Sequence, residues 1–293
     1  MELILLGTGC PVVSKERFGP AEAVRSGGST LLIDCGSGVT QRMAAAGISG
    51  RDIDALLLTH LHSDHIVDLF QLVISSWHQG RERPQRVFGP KGTRRYVEGL
   101  LQLWQPELKQ RIAHECRPST KALEVEVTEF TAGPLPDVGE MKVRAVEVDH
   151  KPVEAAFGFV IEGPGGKLVF SGDTRPCPAL EEAAAGARLL LHEVFIHRDL
   201  PVVEGVRSAR TVENVASYHT LSGDVGKIAA RAGVECLVLT HFVPPETDRD
   251  ALLAEVAADF TGPLVVGEDL LRIDLESGVM THGDLRSRIL PPL

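Results

Sequence analysis

The sequence is short of cysteine and of positive charge, and each shortage excludes a class of protein. The five cysteines lie far apart and form no Cys-x-x-Cys pair, so neither a disulfide framework nor a cysteine zinc site is indicated. The formal net charge is −10, so the basic footprint typical of nucleic-acid binding is absent over the chain as a whole. No apolar run is long enough to cross a bilayer, and the N-terminus lacks the pattern of a signal peptide. We therefore expect a cytoplasmic protein with no membrane partner.

What the sequence does have is the composition of a globular protein with a large core. Hydrophobic residues make up 43% of the 293 residues and charged residues 24%. Short apolar runs bounded by Gly, Pro or Asp predict strands, for example at residues 3–6, 55–59 and 236–240. Helical patterns, for example at residues 93–104 and 222–232, fall between strands. They alternate with strands in the second half, which predicts a layered α/β or α+β architecture. No Ser/Gly-rich linker divides the chain, so we expect one domain over residues 1–293.

The clearest motif is a group of metal-binding side chains that directly follows the apolar run 55–59. It consists of His60, His62, Asp64 and His65. Residues two apart in an extended chain face the same way, so His60 and His62 can bind one ion. Asp64 and His65 begin the next helix, which directs them to a second ion, and two ions about 3.5–4 Å apart can activate a water near neutral pH. Chance packing is a poor alternative, because buried polar groups without partners are costly.

Three later apolar runs, each a predicted strand, are also followed directly by polar side chains that can bind metal or transfer protons. The run 168–171 leads into Asp173, the run 189–191 leads into His192-Glu193, and the run 237–240 leads into His241. Apolar strands that all deliver such side chains at their carboxyl ends predict one shared site.

These landmarks carry a family resemblance that covers nearly the whole chain. The segment His60-Leu61-His62-Ser63-Asp64-His65 resembles the HxHxDH signature of the metallo-β-lactamase superfamily, and Asp149-His150, Ser171-Gly172-Asp173-Thr174 and Thr240-His241 follow in the family's order. The resemblance implies an αββα sandwich with two metal ions at one edge between the sheets. Zinc is the expected metal, with manganese or iron as the alternatives.

The resemblance also implies which residues bind each ion. One zinc would be held by His60, His62 and His150, and the other by Asp64, His65 and His241. Asp173 would bridge both ions beside a bridging hydroxide that attacks the substrate. Asp64 would in addition receive the proton of the attacking water.

The second half resembles one branch of this superfamily, namely ribonuclease Z and its relatives with arylsulfatase or phosphodiesterase activity. The residues concerned are His192-Glu193, Phe195 and Tyr218-His219-Thr220. The resemblance implies that His219 lies by the leaving group and that Glu193 orients it. A histidine–carboxylate pair fixes the imidazole tautomer and can protonate a departing oxygen. The alternative is that His219 only begins a helix that Thr220 or Ser222 caps.

Two departures from bacterial ribonuclease Z favour a small substrate over RNA. The run Asp34-Cys35-Gly36-Ser37-Gly38 differs from the acidic-glycine run of those enzymes. Only Gly163-Pro164-Gly165-Gly166, a predicted hairpin turn, stands where they insert a tRNA-gripping arm. With the acidic net charge, these departures predict a zinc-dependent hydrolase of small phosphodiesters or sulfate esters. We do not expect a nucleic-acid partner.

Other functions stay open at this point. A ribonuclease Z that cleaves tRNA 3′ ends is the first alternative, and a lactonase or β-lactamase is the second, since the same hydroxide can attack a carbonyl. A non-catalytic metal-binding protein is the third, against which the complete ligand set argues. Members of the branch commonly form homodimers, and the apolar run 69–77 offers a surface, so we expect a homodimer.

Overall fold

A computed structural model describes residues 1–293 as sixteen strands and eight helices. The strands are β1 Glu2–Gly7, β2 Ala21–Ser26, β3 Ser29–Ile33, β4 Ala55–Leu57, β5 Gln85–Gly89, β6 Val125–Glu129, β7 Gly133–Val138, β8 Met141–Glu147, β9 Phe157–Gly163, β10 Gly166–Phe170, β11 Leu189–Phe195, β12 Leu237–Val243, β13 Leu264–Val266, β14 Arg272–Asp274, β15 Val279–His282 and β16 Leu285–Arg288. The helices are α1 Val39–Ala45, α2 Ser63–Ile66, α3 Leu69–His78, α4 Thr93–Glu115, α5 Pro178–Ala184, α6 Ala209–Ala216, α7 Ser222–Ala232 and α8 Arg249–Ala257.

The strands form two mixed sheets. The first has the order β16-β15-β14-β1-β2-β3-β4-β5-β6, and the second has the order β13-β12-β11-β10-β9-β8-β7. Strands β3 to β6 run parallel to one another, as do β10 to β13, and the other pairs are antiparallel. Strand β14 pairs with β1, with Glu2 opposite Asp274, so the two ends of the chain meet in the first sheet. One domain over residues 1–293 stays a prediction.

Both faces of each sheet are covered, which gives four layers. In β1, Leu3 and Leu5 point into the core between the sheets, whereas Ile4 and Leu6 point outward to a core shared with α1 and α3. In β12, Val238 faces the other sheet, and Leu239 packs with residues of α7 and α8. Strands that are buried on both faces are apolar throughout, which explains why they appear as short continuous runs in the sequence. The αββα sandwich that the resemblance implied is confirmed.

The strands and helices that the sequence did not predict are polar, short or exposed. Strand β7 contains two prolines and lies at a sheet edge, where a missing N–H is tolerated. Every residue of β16 is exposed. Helix α4 continues through Pro106 to Glu115, eleven residues beyond the predicted end. Contacts formed in the folded protein therefore give strands and helical turns that the local sequence pattern does not predict.

The apolar run 69–77 does not offer a surface. Leu69, Leu72, Val73 and Trp77 are each at most 2% exposed, because α3 packs this face into the chain's own core. The indole N–H of Trp77 donates to the carbonyl of Ser119 at 2.7 Å. The homodimer stays a prediction, but this run no longer supports it. None of the helices combines the length and the hydropathy that a membrane crossing requires.

Candidate metal centre

The histidine-rich motif lies where β4 ends and α2 begins. His62 has extended backbone, with φ −63° and ψ 147°, and the helix that follows carries Asp64 and His65 in its first turn. The change from extended to helical backbone turns these two side chains away from the direction of His60 and His62. The sequence predicted this division of the motif.

The second sheet supplies the remaining side chains at the same edge. His150 follows β8, Asp173 follows β10, and His241 lies within β12. The potential ligand atoms fall into two main groups, in each of which all atoms lie within 4.8 Å of one another: His60, His62, His150 and Asp173, and then Asp64, His65 and His241. All of these residues are buried except His62, which is partly exposed. The structure brings together all seven predicted ligand residues.

Asp173 joins the two groups. Its Oδ2 lies 3.9 Å from Nε2 of both His60 and His150, 3.4 Å from Nε2 of His65 and 3.3 Å from Nε2 of His241. Burial alone would raise the pKa of this carboxyl, but the neighbouring imidazoles, His241 first, hold it well below its usual range. One carboxylate oxygen is therefore in reach of both groups.

The donor set fits two metal ions. Nε2 of His60 and Nε2 of His65 are buried and have no hydrogen-bond partner, which is costly unless something else binds them. Five imidazoles and two carboxylates make up the set, and such nitrogen-rich sites suit zinc or a similar transition metal better than magnesium or calcium.

Asp34 and Thr59 hold two of these histidines in position, and sequence reasoning missed this role. Oδ2 of Asp34 accepts hydrogen bonds from Nδ1 of His65 and from the hydroxyl of Thr59, both at 2.7 Å. The Thr59 hydroxyl in turn accepts from Nδ1 of His60 at 3.0 Å. These bonds leave Nε2 of both rings free to bind metal. The available signal was a polar residue at the end of the apolar strand β3.

His150 is positioned by a carbonyl rather than by a carboxylate. Its Nδ1 donates to the backbone oxygen of Tyr218 at 2.8 Å, and its Nε2 lies 3.3 Å from Nδ1 of His62. The segment that carries His219 thus also fixes one residue of the first group.

His219 and Glu193 form a buried pair beside both groups. Nδ1 of His219 donates to Oε1 of Glu193 at 2.9 Å, and the same oxygen accepts from the backbone N–H of Thr174 at 2.9 Å. A ring nitrogen of His219 lies within 4.8 Å of Asp173 and His241. Burial lowers the pKa of His219, but Glu193 outweighs burial, and the net effect is a raised pKa.

The contacts show how the start of α7 and the ring of His192 are held. Neither Thr220 nor Ser222 caps α7, whose N-terminus has no side-chain cap, and the Thr220 hydroxyl instead donates to the carbonyl of Thr174 at 2.6 Å. His192 belongs to none of the ligand groups. The Nδ1 N–H of His192 donates to the backbone oxygen of the next residue, Glu193, at 2.8 Å. This bond fixes the orientation of the His192 imidazole ring.

Comparison with known proteins gives relatives along nearly the whole chain. A family model described as Anti-Pycsar protein Apyc1 matches residues 1–203. Ribonuclease Z of Mycobacterium bovis (strain BCG / Pasteur 1173P2) is 40% identical over 280 residues, which cover 94% of this chain and 98% of the relative. Ribonuclease Z of Mycolicibacterium gilvum (strain PYR-GCK) is 41% identical over 284 residues, covering 95% and 98%.

Solved structures share the fold at low sequence identity. The metallo-β-lactamase fold protein YhfI from Bacillus subtilis superposes with a TM-score of 0.73 at 20% identity, covering 93% of this chain and 99% of that one. Human tRNase Z, short form, has a TM-score of 0.69 at 21% identity, covering 94% and 99%. This fold implies a dinuclear metal site, and the two ligand groups fit one.

These findings correct two expectations. The preference for small esters is wrong, and so is the expected lack of a nucleic-acid partner, because the curated relatives are ribonucleases Z. The tight turn between β9 and β10 does lack an arm. However, the relatives are aligned over 98% of their own length with a chain of similar size, so the missing arm does not distinguish this chain from them. Net charge, a property of the whole surface, says nothing about one face.

The nearly complete coverage of both chains, the shared fold and the assembled ligand groups lead to one conclusion. This chain is a metal-dependent hydrolase that belongs to the Apyc1 family and to the ribonuclease Z branch of the metallo-β-lactamase fold.

Proposed function

We propose that this protein is a zinc-dependent ribonuclease Z, an endonuclease that hydrolyses a phosphodiester at the 3′ end of precursor tRNA. The observation that carries the proposal is the identity of 40% with a ribonuclease Z over 94% of this chain and 98% of the relative. The position of His219 and Glu193 beside the two ligand groups supports it, since cleavage of an RNA backbone expels a strongly basic oxygen.

The proposed ligands follow the two groups. His60, His62 and His150 would hold the first ion, Asp64, His65 and His241 would hold the second, and Asp173 is within reach of both groups. Bound zinc supplies Lewis acidity, which neutralises charge on the phosphate and makes water nucleophilic near pH 7. The predominance of imidazole favours zinc over manganese, which prefers oxygen ligands.

The protein's own side chains move the protons. Burial raises the pKa of Asp64, but His65 and His241 outweigh it, so the carboxylate is ionised and able to accept the proton of the attacking water. His219 holds its second ring nitrogen toward the ligand groups, because Glu193 occupies the first. That nitrogen donates the proton to the departing ribose oxygen.

Precursor tRNA tests the proposal directly. The zinc-loaded protein is expected to cut a precursor with a 3′ trailer once, at the end of the mature sequence, and to leave mature tRNA uncut. A chelator should abolish cleavage, and added zinc should restore it. The proposal fails if the protein leaves the precursor intact while it hydrolyses an aryl phosphodiester, because the metal centre is then active on another substrate.

Replacing Asp34 by alanine is expected to weaken zinc binding by about 10–100-fold, because His65 loses the acceptor that fixes its tautomer. Competition with a chromophoric chelator measures the affinity. Asp54→Ala is the matched control: this carboxylate also accepts a backbone N–H, that of Thr30, but contacts no ligand residue. Equal affinities for the two variants would show that Asp34 does not support the metal site.

A further inference from the structure

A cavity opens directly beside the metal-ligand groups, on the side of Asp64. Its volume is about 410 Å³, within the range of about 300–1,000 Å³ that is usual for small-molecule sites. Most of its lining comes from the loop between β1 and β2, and the rest from Ser37 before α1, from the first turn of α2 and from Val67 after α2. Asp64 belongs both to this cavity and to the second ligand group. The cavity therefore adjoins the second ligand group.

The loop that forms one wall is held rigidly at both ends. Asp269, which is buried, accepts hydrogen bonds from the backbone N–H of Thr8 at 2.9 Å and of Phe18 at 2.8 Å. Arg17 donates to the hydroxyl of Thr8 and to the carbonyls of Pro245 and Gly267. These bonds use three of the five N–H groups of the guanidinium, so Arg17 helps to fix this wall of the cavity. The cavity thus exists before any ligand arrives, which lowers the cost of binding.

The rim of this rigid cavity is apolar and exposed. Val12 is 46% exposed, Val13 is 95% exposed, and Val67 is 54% exposed. All three line the same cavity, together with Ser14 and Ser63. A cavity lined by both apolar and hydroxyl-bearing residues suits a flat aromatic ring with polar edges.

We propose that this cavity binds a nucleobase of the RNA, namely one that adjoins the scissile phosphate, with its faces packed against Val12, Val13 and Val67. The inference rests on the proposed function in so far as the substrate is RNA. Asp64 belongs to the second ligand group and also lines the cavity, so a nucleoside attached to a phosphate held between the two groups would be within reach of the cavity. Serine hydroxyls both donate and accept hydrogen bonds, so the cavity requires a base but tolerates any of the four.

Binding of dinucleoside monophosphates tests this inference, because their single phosphate has only two flanking nucleosides. Isothermal titration calorimetry with the zinc-loaded His219→Ala protein avoids hydrolysis. Removing the base on one of the two sides is expected to weaken binding about tenfold or more, and removing the other base should have little effect. Exchange among the four bases at the sensitive position should change the affinity by less than about threefold.

Two variants identify the cavity as the place of that base. The double variant Val12→Ser/Val13→Ser should weaken binding of the intact dinucleotide about tenfold. It should not change binding of the dinucleotide that lacks the base whose removal weakens binding to the parent protein. Both valines are exposed, so folding is preserved, and two zinc ions per chain confirm it. Val203→Ser/Val206→Ser is the matched control, because these valines are 41% and 76% exposed but do not line the cavity. The control should bind like the parent protein.

Other outcomes overturn the inference. Both abasic dinucleotides could bind as tightly as the intact one, or the Val12/Val13 variant could weaken intact and abasic forms equally. Cleavage of precursor tRNA, measured in parallel, separates this failure from failure of the proposed function. Base-dependent binding without cleavage of precursor tRNA would support the base-binding cavity and refute the ribonuclease Z proposal. Cleavage of precursor tRNA without base-dependent binding would support the ribonuclease Z proposal and refute the base-binding cavity.

Discussion

Replacing Asp173 by alanine is expected to release both metal ions and to lower the rate of hydrolysis by more than about 10³-fold. The reason is its position: Oδ2 lies between 3.3 and 3.9 Å from ring nitrogens of four histidines that belong to two different groups. Without this carboxylate, each group keeps only three neutral or singly charged donors and loses the negative charge between the two cations. Elemental analysis of the dialysed protein should fall from two zinc ions per chain to fewer than one.

Two further variants make this result specific. His62→Ala should lose one ion and keep the other, since His62 belongs only to the first group. Asp149→Ala should keep both, since this carboxylate pairs with Arg175 at 2.6 Å and belongs to neither group. Circular dichroism should show that all three variants are folded. Retention of one full equivalent of zinc in Asp173→Ala would refute the bridging role.

The second large effect is expected for His219→Ala, and its size should depend on the leaving group. General acid catalysis contributes about 10²–10⁴-fold. The variant should lose this factor on RNA, whose departing ribose oxygen is strongly basic. It should lose far less on a nitrophenyl phosphodiester, whose phenolate departs without a proton. Rate constants for the two substrates under single-turnover conditions measure the difference.

Zinc content distinguishes a proton donor from a ligand. His219 is not among the proposed ligands, although a ring nitrogen lies within 4.8 Å of Asp173 and His241, so its removal should leave two ions in place. Glu193→Gln keeps an acceptor for Nδ1 but removes the charge that raises the pKa of His219. It should show the same dependence on the leaving group in milder form. An equal loss on both substrates would mean that His219 binds the phosphate instead.

The sequence was sufficient where local pattern and chemistry coincide. Strands buried on both faces left continuous apolar runs, and α7 was predicted at its observed limits, Ser222 to Ala232. The change from extended to helical backbone after His62 followed from spacing alone. Strand β7 and the second half of α4 could not be predicted from the sequence, because both contain proline, which disfavours strands and helices. They form only because strand pairing and packing in the folded protein hold them.

The sequence by itself determined the kinds of ligand, their order and the strand ends that present them, because a metal site needs particular donor atoms and these are visible as residue types. Only the tertiary structure decided how they meet. It placed one oxygen of Asp173 between two groups, gave Asp34 to His65, and gave Glu193 to His219. It also formed the cavity beside Asp64 from the β1–β2 loop and from Val67 of the turn after α2, which lie more than forty residues apart in the sequence. Distances between side chains on different strands depend on how two sheets pack, and no local pattern in the sequence records that packing.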